Sequence, residues 1–218
     1  MTLEDVRKRF PGSAAATLRP VKVRGDHDLN PGFGPPDKLR EAAVLVPLVE
    51  HAEGATVIFT QRTAHLTAHA GQISFPGGRM EAFDGSPEET ALRETEEEIG
   101  LSRDHVEIIG RLDTYVTRTG FRVTPVVGVV RPPFLLTPDP TEVAEVFEVP
   151  LAFILDPSNP QRHSREFQGA KRFFYVFPYQ HRFIWGATAG MLVNLRDVLR
   201  EDTLGEPPIG ETPIGKTQ

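Results

Sequence analysis

Residues 86–101 read SPEETALRETEEEIGL, with FPGG at 75–78 just upstream. The ends of this stretch are marked for a helix. Ser86 is a strong N-cap, and Pro87 suits the first helical position, where no backbone N–H is needed. Glu89, three residues after Ser86, completes a capping-box pattern. Gly100 is placed to close the helix in the left-handed conformation. Side chains advance about 100° per residue, so Leu92, Thr95 and Ile99 share one face, expected to be the core face. Glu94, Glu97 and Glu98 fall at i, i+3 and i+4 and share another.

That second face is unfavourable by itself. From Glu81 to Glu98 there are eight acids and one base, Arg93. Like charges at i and i+4 cost a few tenths of a kcal/mol per pair. Glu96, Glu97 and Glu98 also sit at the end of the helix where the macrodipole disfavours anions. A solvated acidic face is the plain alternative, but here the repulsion is concentrated on one turn. Such a local violation marks a functional site. A hard divalent cation, Mg²⁺ or Mn²⁺, is the simplest compensation, because it takes carboxylate oxygens and keeps waters that a substrate can displace. Gly77-Gly78 permits close backbone approach and adds a candidate carbonyl ligand.

Outward from the helix, residues 42–49 (AAVLVPLV) and 55–60 (ATVIFT) are strands separated by a short turn, hence a hairpin. Pro47 argues for an edge position or a bulge in the first of them. Residues 72–76 form a third short strand. Residues 105–117 and 121–131 form two more around a Thr119-Gly120 turn. Pro150 starts a short helix over 151–155. Residues 164–178 suggest a hairpin. Residues 187–200 carry Met191, Leu192, Leu195, Val198 and Leu199 at helical spacing. At the N-terminus, residues 2–10 read as a helix with Thr2 as N-cap and Asp5 as its box partner. The class is α+β, a mixed sheet with few helices. The organisation is an N-terminal helix and loop over 1–40, a core domain over 41–200, and a tail over 201–218 expected to be disordered.

Composition narrows the function. Among 218 residues, 24 Lys+Arg against 30 Asp+Glu leave a net charge of −6, which argues against a nucleic-acid surface as partner. The absence of Cys excludes disulfides, thiolate metal sites and cysteine nucleophiles. The longest apolar run, Ala42 to Val49, is too short to span a membrane, and MTLEDVRKRF lacks the apolar core of a signal peptide. A soluble cytoplasmic protein is expected.

Gly77-Gly78 followed by RETEEEIGL at 93–101 closely resembles the signature box of the Nudix hydrolases. Thr95 stands at a normally apolar place. Five residues separate Gly78 from Asp84 and eight separate Asp84 from Arg93, where the general box has a Glu and seven. The Asp and the added residue resemble the coenzyme A diphosphatase branch. FTQRTAHLTAHAGQISFPGG (59–78), RVTPVVGVV (122–130), EVAEVFEVPL (142–151) and FIWGATAGML (183–192) are similar to that branch too, so the likeness spans about residues 42–200. Thr67 and Ala68 depart from it, standing where basic residues are usual.

The resemblance implies a Nudix fold, a mixed sheet sandwiched between helices (α/β/α). It implies metal-dependent hydrolysis of coenzyme A or acyl-coenzyme A to adenosine 3′,5′-bisphosphate and phosphopantetheine. Glu94, Glu97, Glu98 and the carbonyl of Gly77 would hold Mg²⁺ or Mn²⁺, and Arg93 would orient a box glutamate. The base is Glu97, Glu142 or Glu145. Arg62, His65, His69 and Arg79 are candidate phosphate contacts. Trp185 reads as a core or interface residue rather than a stacking platform. Alternative substrates are ADP-ribose, dinucleotides and nucleotide sugars, and a non-catalytic nucleotide sensor is the reading outside enzymology. The partner is a small nucleotide, and a homodimer stays open.

Overall fold

The run at 42–49 forms the centre of the molecule. The computed structural model describes residues 1–10, 22–32, 34, 36–64, 70–167 and 169–200. Among these are α1 (Leu3–Arg9), β1 (Val23–Gly25), β2 (Arg40–His51), β3 (Gly54–Arg62), β4 (Ile73–Ser74), β5 (Gly77–Arg79) and α2 (Pro87–Ile99). A 3₁₀ turn at Arg103–His105 leads into β6 (Val106–Arg111), β7 (Thr114–Val116) and β8 (Phe121–Val130). Then come β9 (Val143–Pro150), α3 (Leu151–Leu155), β10 (Gln161–Phe167), β11 (Ala170–Tyr179), β12 (Arg182–Trp185) and α4 (Ala187–Arg200).

Successive side chains of a strand face opposite sides, and β2 buries both. Ala42, Val46 and Leu48 join the core built with Leu3 and Val6 of α1 and Met191, Leu192 and Leu195 of α4. Ala43 and Leu45 pack with Ala91 of α2, and Val49 with Ile99. Helices therefore cover both faces of a mixed sheet. Its path is β1-β7-β8-β2-β3-β4, with β5 beside β2, β6 beside β8 and β9 beside β3. β2 runs parallel to β8 and antiparallel to β3 and β5. The α1 cap forms as expected, with Thr2 and Asp5 bonding reciprocally.

Pro47 is neither at an edge nor in a bulge. It sits mid-strand opposite Gly128 of β8. On its other side the partner of β2 changes from β5, at residues 42–44, to β3, at residues 48–51. The Leu45 N–H points to that side, donating to the Pro76 carbonyl at 2.9 Å. Pro47, two residues on, faces the same way, so its missing donor falls in the gap between partners.

The strand expected over 105–117 is interrupted. Asp113 leaves the ladder, its N–H donating to Asn194 Oδ1 at 2.8 Å and its carboxylate taking Asn194 Nδ2 at 2.9 Å and Arg24 Nε at 3.0 Å. The hairpin expected over 164–178 gains a third strand, β12, making a separate sheet ordered β10-β11-β12. Beyond the end of β12, Asn30 takes over its pairing role. Its carboxamide donates to the Phe173 carbonyl at 3.0 Å and accepts the Phe173 N–H at 2.8 Å. Asn30→Ala leaves both backbone groups unpartnered, and is expected to cost about 1–3 kcal/mol of stability by urea unfolding. No helix among the described residues is long and apolar enough to cross a membrane. The tail at 201–218 lies outside the described residues.

Candidate active site

The acidic helix is capped as its sequence demands, with one difference. The Ser86 hydroxyl accepts the Glu89 N–H at 3.2 Å, but the Glu89 carboxylate reaches back to the Gly85 N–H at 2.6 Å instead of closing the box on Ser86. Gly100 ends the helix at φ 68°. The buried stripe is Thr90, Ala91, Thr95, Glu98 and Ile99, while Leu92 is half-buried. A glutamate thus lies on the edge of the core-facing side.

Glu98 is 6% exposed, and its carboxylate accepts the Gly77 N–H at 3.2 Å. Gly77 sits at φ 147°, and a Cβ there would overlap the Ala43 carbonyl oxygen. A Cβ on Gly78 would lie 2.5 Å from the Glu94 carboxylate. The glycine pair therefore lets β5 run directly under two acids of α2. Burial pushes Glu98 up to about 7, and the negative charges of Glu142 and Glu94 add to it against the opposing pull of Gly77 and Arg62. Burial also raises Glu94, partly countered by Arg93.

Arg93 ties the region together. Its Nε and Nη2 bind the two oxygens of Asp84 at 3.0 and 2.9 Å, and Nη2 also donates to the Arg79 carbonyl at 3.2 Å. Nη1 lies 2.9 Å from Glu94 and 3.0 Å from Glu97. Asp84 is buried, and the guanidinium holds its carboxyl well below the usual carboxylate range. Sequence reading noted Asp84 only for its spacing.

The expected site residues separate into groups. Glu94 and Glu98 converge over Gly77-Gly78. Glu97 is turned outward, its side chain 60% exposed, and is bound to Arg93. Arg62, at the end of β3, points between two acids, 3.7 Å from Glu98 and 3.9 Å from Glu142. Glu145 is elsewhere. It pairs with Arg182, whose guanidinium lies 4.1 Å over the Phe147 ring. Glu142 lies just before β9, its N–H bonded to the Asp139 carbonyl at 3.1 Å, and within the strand a bulge follows: Gln61 pairs Glu145, but Arg62 pairs Val143, leaving Ala144 as the extra residue. Val143 packs with Ile99 under α2, while Phe147 packs in the α4 core. Arg79 is exposed at the end of β5. His65 and His69, like Thr67 and Ala68, lie outside the described residues. Trp185 is on the second sheet, edge-to-face with Phe174 and partly exposed.

Among the described residues no three His, Cys, Asp or Glu side chains converge on one ion position. Arg93 instead spans Glu94 and Glu97. The donor chemistry nonetheless suits a hard cation: oxygen donors only, a carboxylate raised by burial, and a glycine surface that any Cβ would fill.

The sheet, the glycine pair and the acidic helix define a Nudix domain. The sequence profile of the NUDIX domain matches residues 39–180, and the chain belongs to this family. Nudix hydrolases generally use divalent metals such as Mg²⁺ or Mn²⁺ and bind small nucleotide substrates. The chain is 41% identical over 183 residues to an uncharacterized Nudix hydrolase NudL of Pectobacterium atrosepticum, covering 83% of this chain and 94% of the relative. It is 38% identical over 195 residues to a protein of the same description from Citrobacter koseri, covering 89% and 93%. A Nudix hydrolase from M. smegmatis, RenU, superimposes with a TM-score of 0.49 at 19% identity, covering 77% of this chain and 90% of that one.

Proposed function

We propose that this chain hydrolyses the diphosphate bond of coenzyme A or an acyl-coenzyme A, with Mg²⁺ or Mn²⁺, to adenosine 3′,5′-bisphosphate and (acyl)phosphopantetheine. The observation that carries the reading is the buried Glu98 beside Glu94, over a glycine pair and facing Arg62. The likeness of residues 59–78 to the coenzyme A branch supports the substrate.

Glu94, Glu98 and the Gly77 carbonyl hold the metal in this reading, with Glu97 available as a further ligand. When bound, the ion neutralises the diphosphate and lowers the pKa of a water. Arg62 and Arg79 supply cationic contacts to the substrate phosphates, Arg62 from the mouth between Glu98 and Glu142. Glu142, half-exposed beside Arg62, takes the proton of the attacking water, with Glu97 the other candidate. Arg93 holds Glu94 and Glu97 in orientation.

Purified protein with Mn²⁺ and coenzyme A is expected to release phosphopantetheine, detected by mass spectrometry. No product at high enzyme concentration overturns the proposal. Thr67 and Ala68 favour a second reading, in which ADP-ribose, a dinucleotide or a nucleotide sugar is the substrate. A panel ranked by kcat/KM decides between them. Mn²⁺ binding with no turnover on the whole panel indicates the non-catalytic sensor instead.

A further inference from the structure

We infer that Thr90 is a positioning residue for the acidic site, acting through Asp84 and Arg93. Its kinetic consequence rests on the function proposed above, but its structural consequence does not. Thr90 lies in the first turns of α2, 0% exposed, one turn before Glu94 on the same side of the helix. Its hydroxyl donates to Asp84 Oδ2 at 3.0 Å. The same oxygen accepts the Glu81 N–H at 2.9 Å and Arg93 Nη2 at 2.9 Å, while Oδ1 accepts Arg93 Nε at 3.0 Å. Asp84 is thus held from the loop side by Glu81 and from the helix side by Thr90, leaving its two oxygens aligned with the planar fork of the guanidinium.

An aspartate has one rotatable carbon fewer than a glutamate and cannot extend to follow a moving arginine. The Thr90 hydroxyl sets where that short carboxylate stands. Arg93, fixed by two parallel bonds, then places Nη1 at 2.9 Å from Glu94 and 3.0 Å from Glu97. A chain of short contacts therefore runs from a buried hydroxyl, which touches neither substrate nor metal, to the carboxylates over the glycine pair. Supports of this kind orient the groups that do the binding.

The test compares Thr90→Val, which keeps the shape and removes the hydroxyl, with Thr90→Ser, which keeps the hydroxyl. Three readouts are taken on the full chain: water exchange of the Arg93 Nε–H by NMR, Mn²⁺ affinity by calorimetric titration, and kcat and KM with coenzyme A. Thr90→Val is expected to speed the arginine exchange and weaken Mn²⁺ binding, each about tenfold, and to lower kcat about tenfold with KM little changed. Thr90→Ser is expected to restore all three. If Thr90→Val fails to fold, Thr90→Ala against Thr90→Ser isolates the hydroxyl at nearly equal volume. Unchanged arginine exchange and Mn²⁺ affinity in the hydroxyl-free variant overturn the inference. A wild-type protein inactive on coenzyme A fails the proposed function alone, because the exchange measurement still reads the Thr90–Asp84–Arg93 chain.

Discussion

Glu98→Gln is expected to lower coenzyme A turnover on the order of a hundred- to a thousandfold while the fold survives. The amide oxygen of the substituted side chain still accepts the Gly77 N–H, so the contact between α2 and β5 persists. What disappears is the negative charge in a position that is 6% exposed. Removing a buried acid beside Glu94 and Glu142 relieves repulsion, so thermal stability should hold or rise slightly. Loss of turnover with an unchanged or higher Tm, together with weaker Mn²⁺ binding, is therefore the signature of a site. Wild-type turnover in this variant would show that the acidic face is not where the chemistry occurs.

Gly77→Ala tests the floor of the same site and is expected to be the most destabilising single change near it. The residue has φ 147°, which side chains rarely adopt, and the added Cβ meets backbone: it overlaps the Ala43 carbonyl oxygen and lies 2.5 Å from Val44 Cα. No rotamer can relieve that clash, because β2 is locked between β8 and the helices. Backbone strain and overpacking together should cost about 3 kcal/mol or more. For a chain of this size that is a fall in Tm of roughly 6–12 °C by calorimetry. A variant that melts with the wild type would mean β5 is free to move away from β2.

The helix at 86–101 was legible because its information is local. Caps, periodicity and charge are all set within one stretch of chain, and the convergence of Glu94 and Glu98 follows from a spacing of four. The strand character of β2 was readable for the same reason. What escaped depends on distant partners. β5 is Gly-Gly-Arg, with no strand propensity, and becomes a strand only because β2 offers it an edge. The break between β6 and β7 exists because Asp113 bonds Asn194, 81 residues away. Pro47 looked like an edge marker because the change of partner beside it is a tertiary fact. Glu142 and Glu145 looked equivalent as candidate bases, since their different partners, Arg62 and Arg182, come from distant parts of the chain.

The bulge in β9 decides which side chains of that strand reach the acidic helix. Because strand side chains alternate, Val143 would share the face of Glu145 and Phe147 in an unbroken strand; the extra Ala144 turns it instead to pack with Ile99 of α2, alongside Val146. One unmatched residue thus decides which of the two cores the start of this strand is anchored in.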